Sequence, residues 1–395
     1  MKTVSLLTNN VVCEQHFYYI ARLEKYLRKN GFELRRDFSP NGWIILCGCG
    51  FHESMFVKVV NTINHVKALG ISDSKVIVLG CISKIYRSEL EKMYRSHVVE
   101  TKEESQLDAI MDMDIPLKNV RFENALQFPD DRRNSTFFIK ILEGCLMKCT
   151  YCVIKKAMGF VKSVPKDEII ARFRTAISNG YSSIHFMGED IFAYGVDSGI
   201  PLPEIIDEML AISRNFKLDL GSFHAQWIIK YKEQILKYCS LGVITKMHIS
   251  IQHIDKDILK NMGRGIDIHT LFEILRHVKR MSPDTILITD IITGFPGESR
   301  DKFKELCKFA KNDDIFDLIL HHGYSDNPQA SSSRLPQKVP SKEILRRWCG
   351  LNKILAGRSP YNEINDDHRD AITRLSRLTV QNDFIFCVNT YKELE

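Results

Sequence analysis

The stretch EGCLMKCTYCVIKKAMG, Glu143 to Gly159, holds three cysteines, at positions 145, 149 and 152. It overlaps the end of an apolar run, FFIKILE, that predicts a β-strand. A structural zinc site and an ordinary iron–sulfur cluster each take four protein ligands. Three thiolates on a cubane cluster leave one iron open, and an open position is typical of catalytic metal sites. The triplet therefore predicts a cluster at which a small molecule binds.

The bulk composition predicts an ordinary globular protein. The chain has 395 residues, so a prior of roughly 150 residues per domain suggests two or three domains. It is 44% hydrophobic and 26% charged. No run of about 18 apolar residues occurs, and the N-terminus lacks a signal-peptide cleavage site, so we expect a cytoplasmic protein with no membrane partner. A net charge of +6 permits an anionic partner without requiring one, because the basic residues are spread along the chain.

The chain has eleven cysteines, an odd number, which argues against a disulfide framework. Cys47 lies inside a predicted strand, and four more at positions 239, 307, 349 and 387 lie in predicted helices or strands. We expect these five to be buried apolar residues. The remaining six form two sets of three.

The fold class predicted is α/β, with a flavodoxin-like parallel sheet domain over residues 1–105. Its strands are TVSLL, GWIILCGCG and SKVIVLGC, separated by the helical patterns EQHFYYIARLEKYLRKNG and ESMFVKVVNTINHVKALG. Continuous apolar strands alternating with helices indicate a parallel sheet covered on both faces. Residues 106–135 are polar and irregular, and we interpret them as a linker.

A second alternating series fills residues 136–340. Its strands are FFIKILE, SIHFM, LDLGSF, KMHISI, TILITDIIT and FDLILHH, each separated from the next by a helical pattern. Six β/α units in a row predict a closed or partial parallel barrel, with the active site at the carboxyl ends of the strands. Residues 341–395 form a short extension with one predicted helix and one strand-like run, DFIFCVN.

The second set of cysteines is Cys13, Cys49 and Cys81, which follow the first, second and third strands. Loops at the carboxyl ends of neighbouring parallel strands converge on one crevice. Three thiolates far apart in sequence could therefore point at one place. The alternative is that cysteine is simply frequent in buried strands.

The CX3CX2C triplet, with Tyr151 just before its last cysteine, resembles the signature of the radical S-adenosylmethionine (SAM) superfamily. The resemblance implies a [4Fe–4S] cluster on Cys145, Cys149 and Cys152 whose open iron binds SAM and cleaves it to a radical that abstracts hydrogen. The alternatives are a zinc knuckle and chance clustering. A zinc knuckle needs a fourth Cys or His nearby, and none follows Cys152 before His185.

Further motifs resemble the methylthiotransferase family of radical SAM enzymes, over about residues 1–340. They are ILCGCGFHES, VIVLGC, FMGEDIFAYG, MHISIQHIDKDILKNMGRG, DIITGFPGES and YSDNP, in that order. That family modifies tRNA adenosines or a ribosomal protein. The resemblance implies a second [4Fe–4S] cluster on Cys13, Cys49 and Cys81 that carries the sulfur added to the substrate.

The same resemblance implies residues that contact SAM. MGED places Gly188 and Glu189 near the SAM amino group, HISIQH places Gln252 near the ribose, and NMGRG places Arg264 near the carboxylate. GFPGE forms a turn near the adenine. The implied contacts are Tyr151, Gly188, Glu189, Gln252, Arg264, Gly294 and Pro296. The alternatives are an ordinary β/α turn for GFPGE and packing roles for Gln252 and Arg264.

The sequence departs from the family pattern in several places. Lys155 stands where the family has a proline, and Met158 and Asn327 stand where it has arginines. His16 replaces an asparagine, and the Tyr18-Tyr19-Ile20 run replaces an Asp-Ser pair. Family members carry a C-terminal β-barrel, and the pattern of residues 341–395 does not fit five strands. We expect that barrel to be absent or vestigial.

The sequence thus predicts a two-cluster radical SAM methylthiotransferase that acts on a peptide or small protein. It would need SAM and an external electron donor of the flavodoxin or ferredoxin type. One alternative is a tRNA adenosine methylthiotransferase, which we expect less. The other is a non-catalytic iron–sulfur protein that transfers electrons or senses redox state.

Overall fold

The computed structural model describes residues 2–8, 13–35, 37–39, 41–51, 53–95, 97–120, 136–356, 380–381 and 384–386. The chain divides into two compact units. The first comprises residues 1–134, 153–159 and 369–395, and the second comprises residues 135–152 and 160–368. No helix within the described ranges is both long and apolar enough to cross a membrane.

The first unit is built on a mainly parallel sheet. Its early strands are β1 Lys2–Thr8, β2 Phe32–Leu34, β3 Trp43–Cys47, β4 Val76–Leu79 and β5 His97–Val98. The helices between and after them are α1 Glu14–Lys29, α2 Glu53–Ala68, α3 Cys81–Ile85, α4 Arg87–Met93 and α5 Gln106–Ile110. Strands β1, β3, β4 and β5 are neighbours in that order, all parallel, and β2 also pairs with β1. This is the α/β arrangement that the apolar runs predict.

The second unit contains the predicted six-stranded parallel sheet. Its strands are β6 Thr136–Lys140, β7 Leu142–Glu143, β8 Lys162–Ser163, β9 Ser183–Met187, β10 Lys217–His224, β11 Ile244–Ser250, β12 Ile286–Thr293 and β13 Leu318–Gly323. The order of the large sheet is β13-β12-β11-β10-β9-β6, so β6 and β13 are its edges. β7 and β8 form a separate two-stranded ribbon. The sheet is therefore a partial barrel, which resolves the choice left open by the sequence.

The helices from residue 154 onward are α6 Ile154–Met158, α7 Lys166–Ser178, α8 Leu202–Ile212, α9 Gln226–Lys230, α10 Lys232–Ser240, α11 Lys256–Asn261, α12 Ile268–Met281, α13 Arg300–Asn312 and α14 Ser341–Ala356. One face of the barrel sheet packs against helices through fully buried side chains such as Leu220, Met247 and Ile291. Helix α6 belongs to the first unit, where the ammonium of Lys156 donates to the carbonyl of Ile85 at 3.1 Å.

One expectation about the chain outside the barrel needs revision. Residues 106–120 were assigned to a linker, but Leu107, Met111, Leu117 and Val120 are buried in the core of the first unit. In the sequence these apolar residues are interspersed with acidic ones, so the composition of the segment does not reveal that they are buried. Residues 121–135 lie outside the described residues.

The predicted run DFIFCVN contains a strand, β15 Phe384–Phe386, which forms a hairpin with β14 Val380–Gln381. β15 pairs antiparallel with β1 in the sheet of the first unit, matching Leu7 with Phe386. The expectation that residues 341–395 lack a five-stranded barrel concerns mostly residues outside the described ranges.

The five cysteines expected to be buried differ among themselves. Cys47 and Cys239 are buried, and Cys307 is half-buried. Cys349 is exposed on α14, so the expectation is wrong there, because the helix turns that position to solvent. Cys387 lies outside the described residues.

Candidate functional site

The cysteine triplet of the second unit lies in a loop between the β6–β7 segment and α6. Cys145, Cys149 and Cys152 are all half-buried thiols. The backbone N–H of Met147 donates to Sγ of Cys145 at 3.4 Å, and the N–H of Cys152 donates to the carbonyl of Cys149 at 3.2 Å. The loop therefore turns back on itself at both ends of the triplet.

The electrostatics of this loop favour protonated thiols in the absence of a metal. Burial, followed by the nearby charge of Asp190 and the other two cysteines, raises the pKa of Cys145 to about 12. Three thiolates close together repel one another and are poorly solvated. Positively charged iron removes both penalties, so binding iron here would release protons.

Arg264 is buried against this loop. Its Nη1 donates to the hydroxyl of Tyr151 at 2.8 Å and to Sγ of Cys149 at 3.4 Å, and its Nη2 donates to the carbonyl of Ser250. Burial raises the pKa of Tyr151 well above its usual value, so the phenol stays neutral. Nε of Arg264 is buried and has no hydrogen-bond partner among the described residues. The guanidinium of Arg264 thus binds the cysteine loop, and its Nε–H remains available to donate to a ligand.

Gly263 allows the NMGRG segment to approach the cysteine loop closely. Its φ is +74°, and a Cβ placed there would lie 2.7 Å from the carbonyl oxygen of Lys148. Hydrogen bonds join the two segments: the N–H of Thr150 donates to the carbonyl of Met262 at 2.9 Å, and its hydroxyl donates to the carbonyl of Asn261 at 2.8 Å. A side chain at position 263 would push the segments apart.

Gln252 follows β11 in a constrained conformation. Its φ is +67°, a left-handed backbone that side-chain-bearing residues rarely adopt. Its N–H donates to the carbonyl of Asp290, and its own carbonyl accepts from Ile292, each at 2.8 Å. Oε1 of Gln252 is buried without a partner among the described residues. Strain held by two backbone bonds, together with an unused acceptor, is typical of a ligand-binding position.

The MGED segment after β9 holds two buried carboxyl groups. Burial raises the pKa of Glu189 to about 7, and its Oε2 accepts the N–H of Gly144 at 2.9 Å. Burial also raises the pKa of Asp190 to about 6, although it accepts the N–H of His224 at 3.0 Å and Nε1–H of Trp227 at 2.9 Å. A Cβ on Gly188 would lie 2.9 Å from Leu142, so this glycine packs tightly against the β7 segment.

The GFPGE turn is covered by α14. Gly294 has φ +79°, and a Cβ there would lie 2.6 Å from the side chain of Ile344. Gly294, Phe295 and Pro296 are buried. Oε2 of Glu298 accepts the N–H of Gly294, and Nη1 of Arg347 donates to Glu298 at 2.8 Å. The turn is therefore fixed by an ion pair with a side chain of α14.

One face of the barrel sheet, which we call the polar face, carries ionisable side chains whose exposure ranges from buried His185 to exposed His322. Its members are Lys140, His185, Asp219, Lys246, His248, Asp290 and His322. Asp219 accepts from Lys246 at 2.7 Å and pairs with His185 at 2.9 Å. Asp290 accepts from His248 at 2.8 Å and from His322 at 3.3 Å. Burial opposes ionisation of Asp290, but the two histidines hold its pKa well below its usual range.

In the first unit, the register of the sheet aligns the strand ends that precede the second cysteine set. Thr8 of β1 pairs with Cys47 of β3, and Cys47 pairs with Leu79 of β4. Cys13 immediately precedes α1, Cys49 follows β3, and Cys81 begins α3. All three therefore come after strand ends at the same edge of the sheet. Cys13 is exposed, Cys49 is buried and Cys81 is half-buried.

Two glycines bring the β3 and β4 loops together in the first unit. Gly80 has φ +89°, and a Cβ there would lie 2.6 Å from the carbonyl of Gly48. The N–H of Ile82 donates to that same carbonyl at 3.2 Å. Because Cys49 and Cys81 each adjoin one of these glycines, the structure places their backbones side by side.

His16 lies on the same row of strand ends. Its Nε2 contacts Thr8 and its Nδ1 lies 3.9 Å from Sγ of Cys47. Burial lowers its pKa to about 4, so the ring is neutral. The asparagine of the family pattern is thus replaced by a neutral, buried imidazole beside the cysteine set.

The chemistry of the two donor sets, three thiols each, suits iron–sulfur clusters. Within the described residues, no three His, Cys, Asp or Glu side chains form a group that could hold one metal ion. A zinc ion needs all its ligands at about 2.0–2.3 Å from one centre. A cubane binds each thiolate to a different iron and accepts more widely spaced sulfurs. Both cysteine sets are therefore compatible with [4Fe–4S] clusters.

The second unit also has polar atoms that suit SAM. Oε1 of Gln252, Nε of Arg264 and Nε2 of His224 are buried without a hydrogen-bond partner in the described part of the chain. Nδ1 of His224 accepts the N–H of Gln226 at 3.2 Å, so Nε2 carries the proton. Burial and Arg264 lower the pKa of His224 to about 2. An acceptor and two donors in one buried region match a ligand with hydroxyl, amino and carboxylate groups.

Sequence reasoning missed several of these residues. Asp190 lies in the MGED motif, and its position beside Glu189 was a usable signal. Asp290, which lies four residues before Gly294 of the glycine-rich turn, offered a similar one. His224 and Arg347 stand outside every motif, and only the folded chain brings them to the site.

Comparison with known proteins gives the family. Residues 139–310 match the radical SAM superfamily, and residues 7–100 match the uncharacterized protein family UPF0004. A ribosomal protein uS12 methylthiotransferase RimO of Campylobacter jejuni is 32% identical over 343 residues, covering 83% of this chain and 75% of the relative. A probable threonylcarbamoyladenosine tRNA methylthiotransferase of Pyrococcus horikoshii is 29% identical over 335 residues, covering 82% of this chain and 77% of the relative.

Solved structures support the fold. The radical SAM methyltransferase TsrM of Kitasatospora setae superposes with a TM-score of 0.57 at 13% identity, covering 81% of this chain and 75% of that one. At this identity the likeness concerns the fold alone. Together with the sequence relatives, these matches lead to one conclusion: the chain belongs to the radical SAM methylthiotransferase family, an enzyme family that uses two [4Fe–4S] clusters and SAM.

Proposed function

We propose that this enzyme adds a methylthio group to a carbon of a peptide or protein. Cys145, Cys149 and Cys152 would hold the cluster that binds SAM, and Cys13, Cys49 and Cys81 would hold the cluster that carries the sulfur. The observation that carries the peptide assignment is the charge of the polar face, because a substrate must lie along the open side of the barrel sheet to reach SAM.

The polar face has no surplus of positive charge. Lys246 is paired with Asp219 at 2.7 Å, and Lys140 is paired with Glu143. His248 is engaged by the ionised Asp290 at 2.8 Å. Phosphate contacts dominate the binding of nucleic acids, and they need cations that are not already neutralised. A peptide backbone is neutral, so the carboxylates of the polar face do not repel it. It can form hydrogen bonds with the polar side chains of that face.

Four side chains would bind and orient SAM. Glu189 would accept the ammonium group, and Nε of Arg264 would donate to the carboxylate. Oε1 of Gln252 would accept a ribose hydroxyl. Nε2–H of His224, a residue that the sequence did not single out, would donate to a further oxygen. The bonds to Arg264, Gln252 and His224 each satisfy a buried polar atom that otherwise has no partner among the described residues. Such an unsatisfied group costs roughly 1–3 kcal/mol.

When bound, the SAM cluster and SAM supply a radical able to take hydrogen from an unactivated C–H bond, and the second cluster supplies the sulfur. The protein positions these groups and keeps water away. Tyr151, Phe295 and Tyr324 form an apolar wall beside the cysteine loop, with Tyr151 and Phe295 ring centroids 6.5 Å apart. Their contribution is to exclude solvent from the reacting atoms.

The test is a sulfur-insertion assay with two substrate pools. The anaerobically reconstituted enzyme is incubated with SAM, a chemical reductant and sulfide, together with either bulk tRNA or cell-derived peptides. Mass spectrometry then measures whether a methylthio group replaces a hydrogen in either pool. We expect the gain in peptides. A gain confined to tRNA nucleosides would overturn the peptide assignment and leave the family assignment intact.

Cysteine variants separate the two clusters. Replacing Cys13, Cys49 and Cys81 by alanine should abolish sulfur insertion yet leave SAM cleavage to 5′-deoxyadenosine. Replacing Cys145, Cys149 and Cys152 should abolish both. Iron content should fall from roughly eight to roughly four per chain in either variant. The ligand assignment is wrong if either triple variant keeps full iron content and turnover.

A further inference from the structure

We propose that the exposed surface around Thr150 is the docking surface for a small acidic electron-carrier protein. Family chemistry requires that one electron reach the SAM cluster for each SAM cleaved, and the source must lie outside this chain. The proposal rests on the assignment of Cys145, Cys149 and Cys152 to that cluster. It adds the place where the electron enters and the charge of the protein that delivers it.

Three chain segments meet at Thr150. Its N–H and hydroxyl donate to Met262 and Asn261, at 2.9 Å and 2.8 Å. Its carbonyl accepts from the N–H of Ser332 at 2.8 Å and the hydroxyl of Ser331 at 3.1 Å. Thr150 adjoins Cys149 in sequence, so these segments form the outer cover of the cysteine loop. A carrier seated on them would be separated from the cluster by little more than this single layer of chain.

Each of the three segments presents exposed cations. Lys148 lies in the cysteine loop, Lys256 and Lys260 lie one turn apart on α11, and Arg334 follows Ser332. None of these four takes part in an ion pair within the part of the chain that the structure describes. Positions i and i+4 share a helix face, so Lys256 and Lys260 point the same way.

The acidic residues near this surface are neutralised except for one negative charge, because two aspartates share one lysine. Asp255 and Asp257 both pair with Lys302, at 2.7 Å and 3.0 Å. Asp326 pairs with Lys338. The four cations named above, Lys148, Lys256, Lys260 and Arg334, therefore give the surface a net positive potential, which we call the basic surface. Opposite charge on a partner steers association and raises its rate.

A protein carrier fits the basic surface better than RNA. The surface lies outside the cysteine loop, whereas an RNA substrate would have to reach the polar face on the open side of the sheet. A carrier needs only to come close to the cluster from outside. The transfer is balanced: the reduced carrier loses one electron, and the cluster passes from its 2+ to its 1+ state with no bond made or broken.

Binding of an oxidised flavodoxin, an acidic flavoprotein, tests the surface without turnover. The variant K148E/K260E/R334E is compared with the reconstituted wild-type enzyme by flavin fluorescence titration at low ionic strength. We expect binding to weaken roughly tenfold or more, and wild-type binding to weaken as salt rises. The matched control R214E/R280E/K311E changes the same charge at exposed positions after α8 and at the ends of α12 and α13. It should bind like wild type.

Reduction kinetics provide a second readout. The variant K148E/K260E/R334E should be reduced more slowly by the photoreduced flavodoxin, while reduction by titanium(III) citrate stays unchanged. If K148E/K260E/R334E and the control R214E/R280E/K311E lose flavodoxin binding equally, the effect is one of general charge and the proposal is overturned. Unchanged flavodoxin binding by K148E/K260E/R334E would also overturn it. Loss of tRNA binding with no change in flavodoxin binding would assign the surface to RNA instead. No substrate enters these assays, so their outcome is independent of the peptide assignment.

Discussion

Replacing Arg347 by methionine should destabilise the barrel unit strongly, because the buried carboxylate of Glu298 loses its only arginine partner among the described residues. It keeps just the N–H of Gly294 and the His253 ring 3.5 Å away. Glu298 is fully buried, and the side chain of Arg347 is only 5% exposed. Nη1 of Arg347 donates to Oε2 of Glu298 at 2.8 Å and to its backbone carbonyl at 2.7 Å. Nε donates to Glu343 at 3.0 Å. Methionine has a similar length and no charge, so the loss isolates the electrostatic contribution.

The expected magnitude follows from the burial of the pair. Breaking a buried ion pair by removing one partner costs about 3–5 kcal/mol, because the remaining charge is uncompensated. For a unit of this size, that corresponds to a fall of roughly 1–2 M in the urea midpoint. The double variant R347M/E298Q removes both charges, and we expect it to recover about half of the loss or more.

Arg346 is the matched control. It is the preceding residue on the same helix, and it pairs with the same Glu343 at 2.7 Å, but its side chain is 66% exposed. Exposed pairs contribute about 0–1 kcal/mol, so R346M should be nearly neutral. Urea unfolding followed by far-UV circular dichroism and by tryptophan fluorescence measures all three variants. Equal losses for R346M and R347M, or no recovery in the double variant, would refute the reasoning.

Three further predictions concern the SAM site. Gly263→Ala should lower the iron bound at the Cys145–Cys152 loop, because its Cβ would meet a carbonyl at 2.7 Å, while Gly265→Ala, with nothing within 4 Å, should bind iron normally in a colorimetric assay. SAM affinity measured by calorimetry should fall about tenfold per pH unit below about 7, since Glu189 must be ionised to accept an ammonium group, and Glu189→Gln should remove that dependence. Gln252→Gly relieves the positive φ yet should weaken SAM binding, and unchanged affinity would show that the amide is not a contact.

The sequence predicts the two sheets well because buried parallel strands must be apolar on both faces. SIHFM is strand β9 residue for residue, and TILITDIIT contains β12. Short edge strands such as Phe32–Leu34 and His97–Val98 are missed, because two or three residues carry no periodicity. Residues 106–120 are missed for a different reason, since the apolar side chains there are separated by charged ones.

Only part of the candidate site can be predicted from the sequence. Six cysteines are predicted as cluster ligands because their spacing or their place after strands is itself a chemical signal. The partners of Arg264 are not, since Cys149 lies 115 residues away along the chain and Tyr151 lies 113. The link from Glu298 to Arg347 spans 49 residues. Such contacts depend on packing between elements, which a single sequence does not display.

The pairing of β1 with β15 has a consequence for how the chain is made. Leu7 leaves the ribosome long before its antiparallel partner Phe386, because the two positions are widely separated in the chain. Contacts between residues so distant in sequence close a very large loop and form slowly. The barrel can therefore fold during synthesis while the edge of β1 that pairs with β15 is still unpaired. Ribosomes that stall before Phe386 would leave chains in which β1 lacks its partner β15. The unpaired edge of β1 is then prone to pair with another copy of the chain.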